Sequence, residues 1–369
     1  MLRKWQPLTK TIAHWLAYVI WVVIFRLIIL TLITYFMGSS GTSTGATFQE
    51  ISDVYSSYEL FTLALGAALY LLLLRHLNPL APTSFSEIFT PHRFERRFIP
   101  GFLRGAVLAL AVTLIFLLGG YYRYMGLLLH LEEAPFALLS ITLKTASLGV
   151  LIYCEEFIFR NQIFNLLKQK FRLFPTVFFS SLLYCVTKTV QFDLGVMQLV
   201  TLLLLSWVVA MRTTLDEDFV RGAGLIIGLL TVFHPLLGLP IFGLESQGVL
   251  LLKYHKYQSN AESTEAIRLL TGGVGGPLSS ITLQLFLLFD FIQIFYKNKK
   301  TLLKIPNHNS PEYIKFLWET TPSNINHFSF YLTIPYLILV FLILNRFPYH
   351  LSNSLNLLIV HHYLHALHF

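Results

Sequence analysis

The chain has 369 residues, of which 55% are hydrophobic and 12% charged, and its formal net charge is +8. So apolar a composition excludes an ordinary soluble domain and a disordered chain, and it places the protein in the membrane class. Nucleic acid is not the expected partner of the positive charge, because the cations are grouped between apolar stretches in the manner of a membrane topology.

Stretches long enough to cross about 30 Å of hydrocarbon are predicted near residues 12–37, 57–76, 101–121, 136–158, 173–187, 196–211, 222–243, 277–296 and 330–345. The expected fold is therefore all-α, a polytopic membrane helix bundle of about nine transmembrane helices. The first stretch is long and lacks a small-residue cleavage site before Gly38, so it reads as an uncleaved span. Arg3, Lys4 and Lys10 precede it, whereas residues 38–56 carry no Lys or Arg. Cations return at Arg75, Arg93, Arg96 and Arg97, at Lys168, Lys170 and Arg172, and at Lys297, Lys299 and Lys300. This alternation predicts a multi-pass integral membrane protein with a cytoplasmic N-terminus.

Lone charges inside spans, Arg26 and Lys144, and Asp290 near a span end, read as snorkelling or paired groups ahead of substrate contacts. In the fourth stretch YCEEFIFRNQIF places Glu155, Glu156 and Arg160 among apolar residues. A charge at mid-membrane costs on the order of 2.5–3.5 kcal/mol on insertion scales, so each needs a partner or a task. Glu156 and Arg160 are four apart with the acid first, the favourable order for a pair on one helix face. Glu155 points about 100° away. A turn near Phe171–Phe174, with Pro175 starting the next helix, puts Glu155 and Lys188 at equal depth. Ser181, Tyr184 and Lys188 form a polar stripe predicted to face Glu155. Cys154 and Cys185 read as small buried hydrophobes rather than a disulfide.

Further on, Gly224 and Gly228 make a small-x-x-x-small face suited to close helix packing. Residues Thr301–Phe328 look like a linker to a peripheral ninth span. The terminal HHYLHALHF reads as an amphipathic interfacial tail, and its histidines suit such a boundary better than a metal site.

The run EEFIFRNQIF, followed in order by SSLLY at Ser180–Tyr184, GLIIG, GLPIFG and LLTGGVGGP at Leu269–Pro277, resembles the CAAX protease and bacteriocin-processing family of intramembrane metalloproteases. The likeness extends from about Arg93 to Leu288. It implies a protease core over 93–296, flanked by N-terminal helices and a cytoplasmic loop over 1–92 and by a linker, peripheral helix and tail over 297–369. It also implies a bacterial cytoplasmic membrane, the lipid bilayer as partner, and a membrane peptide or protein as substrate. The family's Glu-Glu-x-x-x-Arg motif falls on Glu155, Glu156 and Arg160, with the first glutamate the general base for a water. No cofactor is expected beyond a divalent metal such as zinc, as far as the family's metalloprotease label applies.

Two departures from the family pattern change the chemistry. The family's histidine on the next helix is Lys188 here, and an ammonium beside a carboxylate is neither a base nor a metal ligand. In GLIIGLL the family's His and Asn places fall on inert Ile226 and Leu230, with Ile226 expected to face Glu155. An alternative register uses His234, with Gly238 in the Asn place and Pro235 breaking the helix between them. The sequence thus leaves open a weakened or inactive intramembrane protease, and a pseudoprotease that binds a membrane peptide or protein as an immunity, sorting or assembly factor. A transporter is disfavoured by the absence of matched repeats.

Overall fold

Long runs of Leu, Ile, Val and Phe satisfy their backbone groups in a membrane only by closing each hydrogen bond within the segment, and the computed structural model is helical accordingly. It describes residues 6–39, 48–77, 94–127, 134–216, 218–244, 248–254 and 261–304, all within the compact unit Met1–Ser310. The N-terminal helices are α1 (Gln6–Ser39) and α2 (Phe48–Leu77). A π turn, Phe94–Phe98, leads into α3 (Ile99–Leu118), and strand β1 (Tyr122–Leu127) follows. Helix α4 (Ala134–Glu156) continues through a π segment, Phe157–Ile163, and a last turn, Phe164–Lys168. Then come α5 (Leu173–Gln191), α6 (Val196–Asp216), and α7 (Val220–Thr231) with its π extension Val232–Leu236. Strand β2 (Leu250–Tyr254), the short α8 (Ala261–Thr271) and α9 (Ile281–Lys304) complete the described chain.

Five of these helical stretches are long and apolar enough to cross a membrane: Leu8–Phe36, Glu95–Leu118, Ala137–Lys168, Leu173–Gln191 and Val196–Asp216. Tyr58–Leu74 and Val220–Leu236 are shorter apolar helices. The first eight predicted stretches fall on α1 to α7 and α9, whereas residues 330–345, most of the predicted linker and the histidine-rich tail lie outside the described residues. Helix α9 carries on to Lys304, past the start of that linker.

An all-α expectation misses one feature. Strands β1 and β2 pair antiparallel, Tyr122 opposite Tyr254, with an irregularity between Tyr124 and Gly126. The third apolar stretch therefore stops at Leu118, where Gly119 and Gly120 turn the chain. Tyr122 packs its ring edge-on against Phe116 at 5.2 Å, so aromatic packing ties the ribbon to α3. Pro235 is also accommodated rather than breaking α7 at once. It sits inside the π extension, whose wider turn is closed by Leu237 N–H donating to Val232 C=O at 3.0 Å, so the donor that proline lacks is not needed.

Among the described residues, α3 and α7 approach each other closely through their glycines. A Cβ on Gly105 would lie 2.0 Å from Leu225 O, and one on Gly228 would lie 2.1 Å from Phe102 O. The small-residue face read from Gly224 and Gly228 is thus met by the backbone of Phe98 and Phe102, while Gly101 and Gly105 of α3 meet the backbone of Arg221 and Leu225 on α7. This seam fixes α7 beside the bundle core that holds the carboxylates. Because the ribbon joins the segments after α3 and after α7, the starts of α3, α5 and α7 and the ends of α4, α6 and α9 share the opposite end of the bundle.

Candidate functional site

Among the buried residues of α5, Val177, Ser181, Tyr184, Lys188 and Gln191 recur three or four residues apart, with Ser180 beside them, the spacing of one helix face. Opposite it, Glu155 and Glu156 end the regular part of α4. There the backbone widens into the π segment, and Phe164 N–H reaches back to Phe159 C=O. Such a π bulge re-aims the side chains around it. Glu155, Glu156, Arg160 and Lys188 are all fully buried.

Both ion pairs read from the sequence are present. Lys188 Nζ lies 2.5 Å from Glu155 Oε2, and Arg160 Nε lies 3.4 Å from Glu156 Oε2. The other oxygen of Glu155 accepts from Gln191 Nε2 at 2.7 Å and from the Tyr18 hydroxyl at 3.3 Å. Glu155 is therefore engaged on both oxygens, by groups from α1 and α5. Lys188 completes its surroundings with aromatic faces: its Nζ stands 5.6 Å from the Tyr184 ring centre, 5.3 Å from Phe192 and 5.5 Å from Phe242. These cation–π contacts replace water around a buried ammonium.

Phe242 reaches this place through an unusual backbone. Its φ is +52° and that of Gly243 is +78°, the two left-handed residues of a tight hairpin turn. Ile241 and Leu244 close the turn with reciprocal hydrogen bonds of 3.2 and 2.7 Å. A left-handed aromatic residue is strained, and such strain persists where the surroundings impose it; here Phe242 stacks on Phe192 at 4.8 Å and 18°. The GLPIFG piece thus caps the lysine. The glycine-rich piece after α8 packs on it in turn, since a Cβ on Gly276 would fall 2.1 Å from Pro240 O.

Arg160 does more than face Glu156. It donates to Ser180 Oγ at 2.9 Å and to Ser206 O at 3.1 Å, and also to Ser206 Oγ. One guanidinium thereby ties α4 to α5 and α6. Glu156 is held more loosely than Glu155, by Arg160 Nε at 3.4 Å against 2.5 Å for the Lys188 pair, and the Tyr184 and Ser181 hydroxyls find no hydrogen-bond partner among the described residues.

Ile226 and Leu230 are buried apolar residues of α7, with no donor or acceptor in their side chains to offer the carboxylates. His234 is buried too. Its Nδ1 meets Leu239 C=O at 3.3 Å. Neither register of the third motif hydrogen-bonds Glu155 or Glu156 among the described residues. Of the lone charges, Arg26 pairs with Glu59 at 2.6 Å and donates to Gln191 O at 2.7 Å, and Asp290 pairs with Arg104 and Arg212. Tyr18, Gln191, Ser206, Phe192 and Phe242 were not singled out from sequence. Gln191 alone had a local signal, one further step along the α5 stripe.

The donor set does not fit a catalytic zinc. Among the described residues no three His, Cys, Asp or Glu side chains converge, and the group beside Glu155 is an ammonium, which has no lone pair to give. Comparison with protein-family models, curated proteins and solved structures finds no match for this chain.

Proposed function

We propose that the chain is a non-hydrolytic relative of the CAAX protease and bacteriocin-processing proteins, a pseudoprotease that holds a membrane peptide or protein as an immunity, sorting or assembly factor. In this reading it crosses a bacterial cytoplasmic membrane about nine times with its N-terminus in the cytoplasm, and residues 93–296 form the protease-like core. The observation that carries it is the 2.5 Å pair between Glu155 and Lys188, both fully buried. A carboxylate with one oxygen on an ammonium and the other on two hydrogen-bond donors has its charge neutralised and its lone pairs aimed at protein. It is poorly placed to take a proton from water, which a general base must reach directly or through one water.

A second reading keeps catalysis and moves it. Glu156 is paired more loosely than Glu155, at 3.4 Å from Arg160, beside the Tyr184 and Ser181 hydroxyls that have no hydrogen-bond partner among the described residues, where a buried water would find polar partners. If hydrolysis occurs, Glu156 is the better base, with Arg160 orienting it. The test is a cleavage assay of purified protein in lipid nanodiscs with single-span peptides, beside Glu155→Gln and Glu156→Gln, together with photo-crosslinking of the same peptides. The expected outcome is no cleavage by any form and crosslinking by all. Cleavage lost only in Glu156→Gln supports the second reading, and cleavage lost in Glu155→Gln overturns the first.

A further inference from the structure

A group of cations at the end of the bundle opposite the ribbon takes no part in the carboxylate site. Arg104 on α3, Arg212 on α6, Arg221 at the start of α7 and Lys297 on α9 line a cleft of about 450 Å³, with Asp216 and Asn298 on its wall. Asp290 pairs with Arg104 and, at 3.2 Å, with Arg212, while Asp216 pairs with Arg221 at 2.8 Å. Among the described residues that line or pair across the cleft, four cations face two carboxylates, an excess of two positive charges. Arg212 Nε is buried and donates to nothing among the described residues, although its neighbouring nitrogen is engaged.

Along α3 and α9, apolar residues near the cleft-lining or paired residues in sequence are exposed. Leu103 is 55% and Val107 63% exposed beside Arg104, and Phe289 is 66% and Tyr296 73% exposed beside Asp290 and Lys297. A ligand that satisfies both features carries a phosphate and hydrocarbon. We propose that this cleft binds the phosphate of an anionic phospholipid headgroup, with Arg104, Arg221 and Lys297 on the phosphate oxygens and the acyl chains along α3 and α9. Arginine forks and a lysine point charge are the usual complement of phosphate oxygens. Free phosphate shares the headgroup chemistry but has no use for the apolar flanks.

The experiment is a native mass spectrometry titration of the full chain in detergent, with phosphatidylglycerol, phosphatidylcholine or inorganic phosphate as the probe. Phosphatidylglycerol is expected to bind more tightly than phosphatidylcholine, whose choline brings a cation into a cationic cleft. Lys297→Gln and Arg221→Gln should each weaken phosphatidylglycerol binding by about five-fold, and Lys297→Arg should retain it, with an unchanged unfolding midpoint in phosphatidylcholine reporting intact folding. Inorganic phosphate displacing phosphatidylglycerol supports a headgroup held through its phosphate. Equal binding of the two lipids, or wild-type affinity in both glutamine variants, overturns the site. Inorganic phosphate binding with no effect on bound phosphatidylglycerol overturns the lipid as its source.

Discussion

Glu155 has recruited most of what a buried anion can use: a lysine ammonium, a glutamine amide and a tyrosine hydroxyl, from two different helices. An isolated carboxylate in hydrocarbon is costly, and its hydrogen bonds matter most through the cost of their loss. Gln191→Leu is therefore expected to lower stability by about 1–3 kcal/mol, read as a lower thermal midpoint in detergent, and an unchanged midpoint would mean that the amide contributes nothing. Much of this residue-scale arrangement was legible. The four-residue step from Glu156 to Arg160 and the equal depths of Glu155 and Lys188 are consequences of helix geometry. Tyr18 was not legible, because nothing local to α1 tells which of its residues meets a helix 137 positions away. Phe242 was hidden for another reason: its role depends on a left-handed backbone that a phenylalanine does not advertise.

At the scale of elements, the carboxylate helix is located by its neighbours rather than by itself. Arg160 links α4 to α5 and α6 through two serines, and the glycine seam between α3 and α7 closes the layer behind. Since Gly228 faces the Phe102 backbone and not a movable side chain, Gly228→Leu has nowhere to place its added atoms. Overpacking of this kind costs about 1–3 kcal/mol or more, and lower yield of folded protein with a depressed unfolding midpoint is expected. Wild-type behaviour of that variant would mean that α3 and α7 do not meet as closely as described. The seam was readable from Gly224 and Gly228, but its partner was not, since glycine spacing names a face and not what it faces. The ribbon and the π extension at Pro235 escaped for a shared reason: strand pairing and widened turns are fixed by distant contacts, whereas apolar composition runs smoothly through both.

At the scale of the bundle, one end carries Arg97, Lys168, Arg172, Arg221 and Lys297 among the described residues, and the other carries the ribbon with its own Arg123 and Lys253. With the proposed topology, cysteines at Lys297 and at Met125, introduced after replacing Cys154 and Cys185 by alanine, should be labelled from opposite sides of the membrane, the first from the cytoplasm. Labelling of both from one side would contradict that orientation. Between the two ends, buried charge is held in pairs, and the claim that Glu155 is structurally neutralised by Lys188 has a direct readout in global stability. Removing one member of a buried pair commonly costs about 3–5 kcal/mol because it strands the other, whereas replacing both by apolar residues can be nearly neutral. The decisive measurement is thermal unfolding of Lys188→Met, Glu155→Leu and the double variant in one detergent, closed as a double-mutant cycle. The expected result is a large loss in each single variant and recovery of most of it in the double; losses that simply add would show that the two residues do not act as a pair, and would return Glu155 to the position of an uncompensated carboxylate with a catalytic task.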